Sequence, residues 1–211
     1  VTIFSGCGLA YLFAPYIGTA ASSVGNLIMW ATTQQPFLMG ILVSVIVGVA
    51  LTLPISSAAI CAALGLTGLA GGAAVAGCCA QMIGFAVISF RDNGWGGFFA
   101  QGIGTSMLQV PNIIKNPRIW LAPTLASAVT GPIATCIFGM QMNGAPISSG
   151  MGTCGLVGPI GVMASDGFGS AKSWIGMLLV CFILPAVLTP LVAYPMRKLG
   201  WIKDGDLKLE L

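Results

Sequence analysis

The sequence predicts an all-α polytopic membrane protein with about five spanning helices and two broken or re-entrant helical hairpins. Three observations lead there. Charged residues make up 6% of the 211 residues, against the ~25% that gives a soluble domain its wet surface. The first charge is Arg91, so residues 1–90 carry none. Apolar stretches also recur along the whole chain, which a cleavable signal peptide does not explain.

A crossing helix needs about 20 mostly apolar residues. Five segments meet that need: 1–18, 37–57, 70–90, 119–138 and 173–195. The first residue, Val1, lies inside an apolar run, so the chain is read as one transmembrane domain, 1–211, belonging to a longer protein. The stretch 94–111, GWGGFFAQGIGTSMLQVP, is interrupted by glycines and is expected to lie flat on one face or dip into the protein. Its Gly102-Ile-Gly104 lacks the strand and lysine of a nucleotide loop.

Charge orients the spans. Arg91, Lys115, Arg118, Arg197, Lys198, Lys203 and Lys208 hold seven of the 8 basic residues. With five spans they all fall on one side, which the positive-inside rule makes cytoplasmic, with the C-terminus. The tail, MRKLGWIKDGDLKLEL, reads as a short polar end. The net charge of +3 sits beside apolar segments and sets topology, so nucleic acid is not an expected partner. With no histidine and cysteines scattered through apolar segments, the chain offers no metal site and no cofactor motif. No nucleophile–base pair marks it as an enzyme.

One motif occurs twice. Pro54-Ile-Ser-Ser57 and Pro146-Ile-Ser-Ser149 each follow a long apolar run and precede a short one. The surrounding segments suggest repeat units 37–92 and 119–198. If the short pieces turn back inside the membrane, the repeats are parallel; if they cross, the repeats are inverted. The charges favour the parallel arrangement. Proline ends an incoming helix, and a following serine can cap the next one. Such breaks survive in a membrane only where protein or a water-filled cavity surrounds them.

Two such breaks facing one cavity would make a neutral site for a small polar solute. The residues expected to line it are Ser56, Ser57, Asn143, Ser148, Ser149 and Thr153, with Gln141 nearby. Asp166 is either a polar partner there or part of a plain outer turn, SDGFGSAK. Gln81 lies mid-helix and must be buried against a partner.

The stretches GNLIMWATTQQPFLMG (25–40), LTLPISSAAICAALGLTGLAGGAAVAGCCAQMIGF (51–85), SFRDNGWGG (89–97), GTSMLQVPNIIKNPRIWLAPTLASA (104–128) and NGAPISSGMGTCGLVGPIG (143–161) carry a resemblance over nearly the whole chain. It resembles the enzyme IIC-like membrane proteins of the sugar phosphotransferase system, in the branch that includes the perfringolysin O regulator. The resemblance implies a bacterial inner-membrane homodimer with a path for a sugar-like solute. It also implies soluble phosphotransferase subunits as partners. Sugar-carrying members place a glutamate and a histidine near the sugar. This chain has no histidine, and its one glutamate is Glu210 in the tail. A transport-inactive membrane sensor that keeps the fold and acts through a partner is therefore the alternative expectation.

Overall fold

The computed structural model describes residues 23, 26 and 28–209; the span expected at 1–18 lies outside them. Among the described residues the elements are all helices, joined by turns and irregular stretches, with one isolated antiparallel bridge, Gly68 to Met142. The central helix, α3 (Gly68–Ile88), has 94% of its apolar window buried inside the protein. Its sequence, GLAGGAAVAGCCAQMIGFAVI, explains how. Small residues let neighbouring backbones approach closely: a Cβ on Gly77 would collide with the Ser44 carbonyl. Two more helices are long and apolar enough to cross a membrane, α6 (Pro117–Phe138) and α9 (Ala171–Lys198). The expected segments 70–90, 119–138 and 173–195 coincide with these three.

The segment 37–57 gives a shorter apolar helix, α1 (Pro36–Thr52), followed by a break. Pro36 opens α1 at its first turn, where no donor is lost. The helix stops because Leu53 precedes Pro54 and is extended, at φ −69° and ψ 157°, as the proline ring requires. Ser56 then caps α2 (Ser57–Leu64), accepting from the Ala59 amide at 3.1 Å. Gly65 closes α2 in the left-handed conformation.

Contacts fix the directions. Ser44 meets Gly77 and Thr52 meets Gln81, so α1 runs parallel to α3. Thr135 meets the Pro36 carbonyl and Ser44 donates to that of Ser127, so α6 runs the other way. Gly84 lies on Thr189, and Arg197 reaches the Ile88 carbonyl, so α9 is parallel to α3. One end of the bundle therefore gathers Ile88, Arg91, Lys115, Arg118 and Arg197, and is called the basic end. The other is the distal end.

Two hairpins come from the distal end. In the first, α1 descends, the chain reverses at Leu53–Ser57, and α2 climbs back to α3's start. The second begins at Met142, passes α7 (Pro146–Ser149), turns at Gly152–Leu156, and returns along α8 (Val157–Ser165). Its base is closed by Ser165, which accepts from the Asn143 amide at 2.7 Å. Pro146 differs from the expectation that it ends an incoming helix. The preceding helix already stops at Phe138, where Gly139 takes a left-handed conformation, φ 59°. Pro146 instead starts α7. The helices leading to the two motifs run antiparallel, so each motif holds a different place in its hairpin.

A third hairpin comes from the basic end. Helix α4 (Phe90–Phe99) leads inward through Ala100–Gly104, and the chain returns through Ser106–Gln109 and α5 (Val110–Lys115). Gln101 and Gly102 are buried, and a Cβ added at Gly102 would lie 3.5 Å from the Ala86 side chain. Of the two expectations for 94–111, this is the one in which it dips into the protein.

The tail is more than a polar end. Ile202, Leu207 and Leu209 are buried. Asn93, Gln109 and Asn112 donate side-chain amides to the Leu207 and Lys208 carbonyls at 2.7–3.0 Å. Asn93 also accepts from the Leu209 amide at 2.7 Å. The amphipathic order Ile-Lys-Asp-Gly-Asp-Leu-Lys-Leu lets this strap bury one side while its charges stay outside.

Candidate functional site

The tips of all three hairpins converge. Thr153 donates to the Gly102 carbonyl at 2.5 Å, tying the second tip to the third. Thr52 and Ser106 share a hydrogen bond at 3.0 Å, tying the first to the third. Ser57 donates to the Gly150 carbonyl at 2.7 Å, tying the first to the second. Each bond satisfies a polar group that would otherwise be stranded in an apolar interior.

Against this junction lies a cleft of 450 Å³. Pro54, Ser56 and Ala58 form one wall, Gly104, Thr105 and Met107 another, and Met151 and Cys154 a third. No charged side chain lines it. Polar groups come from the Ser56 and Thr105 hydroxyls and from the start of α2, whose first amides carry partial positive charge. A shape of this size suits a small molecule, and neutral donors and acceptors suit hydroxyl groups.

The expected site residues divide into three groups. Ser56 and Ser57 border the cleft; Ser57 is buried and committed to Gly150. Thr153 and Ser149 are fully buried just behind it, Ser149 donating to the Leu66 carbonyl at 2.8 Å. Asn143, Ser148 and Asp166 lie toward the distal end. Asn143 is exposed and reaches Gln141 at 3.2 Å. Ser148 is half-buried. Asp166 is exposed in a turn and accepts from the Ser173 hydroxyl.

Thr105 and Met107 were missed. The signal available was the glycine-broken stretch 94–104, too irregular for a span and too apolar for a loop. Gln81 finds its partners beside the junction: its amide nitrogen donates to Thr124 at 3.2 Å and its oxygen accepts from Trp120 at 3.1 Å. Among the described residues no three His, Cys, Asp or Glu side chains gather as a metal ion would need.

These features define a helical membrane protein whose interior junction is built from broken helices. The sequence profile of the family described as Phosphotransferase system, EIIC matches residues 1–209, and the chain belongs to that family. No curated protein and no solved structure matches the chain.

Proposed function

We propose that the chain is the solute-binding membrane subunit of a phosphotransferase system, taking a small, hydroxyl-rich, sugar-like molecule into the 450 Å³ cleft. The observation that carries this is the meeting of three hairpin tips around one neutral cleft. Broken helices at membrane depth are tolerated where they line a cavity, and transporters place substrates at such points. The two distal hairpins and the 90–115 hairpin are read as re-entrant, with Ser56, Ser57 and Thr105 beside the solute. Ser149 and Thr153 support them from behind. Asn143, Ser148 and Asp166 border the distal approach.

The basic end faces the bacterial cytoplasm in this reading, by the positive-inside rule. Its exposed aromatic cluster supports an interfacial position: the Trp95 ring lies 5.1 Å from Phe90 and 6.1 Å from Phe99, centroid to centroid. Soluble phosphotransferase subunits would approach that end, and the chain would work as a homodimer in the inner membrane.

The test is reconstitution of the purified protein into liposomes with labelled hexoses and hexitols. Saturable binding with accumulation supports a transporter subunit. Saturable binding without accumulation, even with the phosphate-donating subunits present, identifies the alternative, a sensor on the same fold. Failure of every sugar and hexitol to bind would overturn the proposal.

A further inference from the structure

A second cleft, of 190 Å³, opens at the basic end between the last turns of α3 and α9. Val87, Pro190 and Ala193 form its apolar walls, and Arg91 and Arg197 its polar side. We infer that this cleft binds the headgroup of an anionic phospholipid, the phosphate between the two guanidiniums and the acyl chains along α9.

Arg197 is fixed in advance. It donates to the Ile88 carbonyl at 2.9 Å and pairs with Asp204 at 3.3 Å, leaving its side chain 20% exposed. A guanidinium has five donors in a planar fork, so these two partners leave donors free for phosphate oxygens. Arg91 is exposed, in the first turn of α4. Gly94 breaks the helix just beyond it (φ 59°, ψ −155°), and among the described residues no carboxylate pairs with Arg91. An anion would supply that partner.

Lys198 adds a third positive charge at the mouth, its ammonium 4.7 Å from the centre of the Tyr194 ring. Two carboxylates stand nearby: Asp204 is paired with Arg197 itself, and Asp92 accepts from the Gly205 amide at 3.3 Å through one oxygen, while its other oxygen is buried without a partner among the described residues. Beyond the mouth, the Val187, Leu191 and Tyr194 side chains are 57–66% exposed, an apolar track continuous with the cleft. A free phosphate would use the arginines alone. A lipid uses both, which is why the lipid is the better fit. Basic pockets between helices on the cytoplasmic side have this same chemistry.

The experiment measures thermal unfolding of the purified protein in neutral detergent, titrated with dioleoyl phosphatidylglycerol, dioleoyl phosphatidylcholine or inorganic phosphate. Phosphatidylglycerol should raise the Tm saturably and the other two should not. In Arg91→Gln, whose side chain makes no hydrogen bond or ion pair with the described residues, the apparent affinity should fall about tenfold with the lipid-free Tm unchanged. Lys172→Gln, at the distal end, should respond like the parent. Native mass spectrometry of Arg197→Gln should show loss of retained phosphatidylglycerol. Equal protection by phosphatidylcholine, a full response in Arg91→Gln, or protection by inorganic phosphate alone would each overturn the lipid site.

Discussion

The Ser57 hydroxyl donates to the carbonyl of Gly150, 93 positions away, and Gly150 follows the second Pro-Ile-Ser-Ser directly. The relation is reciprocal. Ser149, the last serine of the second motif, donates to the Leu66 carbonyl just beyond the first hairpin's α2. A pair of backbone bonds between Gly68 and Met142, at 2.8 and 2.9 Å, closes the same seam. Gly150 has to be glycine, since a Cβ would lie 2.5 Å from the Ser57 carbonyl oxygen. The repeated motif is thus a latch between hairpins.

From this follows the first prediction. Ser57→Ala and Ser149→Ala each leave a buried carbonyl without its donor, which costs about 1–3 kcal/mol. Thermal unfolding in detergent should show both variants less stable than Ser148→Ala, whose hydroxyl is only half-buried. Gly150→Ala should be worse still. Unchanged melting in Ser57→Ala and Ser149→Ala would disprove the latch.

Gln81 holds α1, α3 and α6 together through one amide. Its oxygen accepts from Trp120 at 3.1 Å and Thr52 at 3.4 Å, and its nitrogen donates to Thr124 at 3.2 Å. Gln81→Leu keeps the volume roughly and removes the hub, stranding the indole N–H. A loss of about 1–3 kcal/mol is expected, read as an earlier unfolding transition followed by tryptophan fluorescence. Gln81→Glu retains the acceptor and should lose less at low pH than at high pH, where a buried carboxylate is charged.

Local signals made part of this fold legible. Pro54 stopping α1, Ser56 capping α2, and the small residues of α3 all act within a few positions. The partners of the amides were hidden, because Asn93, Gln109 and Asn112 bind backbone groups roughly a hundred residues away, and backbone carbonyls look alike in any sequence. Pro146 was misread for a related reason: Gly139 had already ended the helix, and a proline starting a helix resembles one that ends it. At the cleft, Ser56 and Ser57 were foreseeable from their motif. Thr105 was not, since it arrives on a hairpin from the opposite end.

The strap at 199–209 gives the third prediction. Its hold rests on Asn93 above all, which both donates to Leu207 and accepts from Leu209 at 2.7 Å. Asn93→Ala and Leu207→Asp should release the strap while the long helices stay folded. Limited trypsin digestion should then cut at Lys203 and Lys208 at least several-fold faster than in the parent, with helical circular dichroism retained. Equal cleavage rates would show that the strap is no better held than a free tail.

The last prediction separates the cleft from the distal residues as the solute site. Ala58 stands in the first turn of α2 on the cleft wall. Ala58→Phe projects a ring into the 450 Å³ space without touching the Ser57–Gly150 bond. Solute affinity for the best hexose or hexitol should fall at least tenfold, about 1.4 kcal/mol, with melting close to the parent. Ser56→Ala has two effects to separate: it removes a hydroxyl from the cleft and a helix cap worth about 0.5–2 kcal/mol to stability. Asn143→Ala and Asp166→Asn alter only the distal approach, so their equilibrium affinity should stay within about twofold, although the rate of binding can change. Isothermal titration beside the melting curves measures both quantities on one sample. If Asn143→Ala abolishes binding while Ala58→Phe leaves it intact, the solute sits among the distal residues and the cleft is only the gap left by three converging turns.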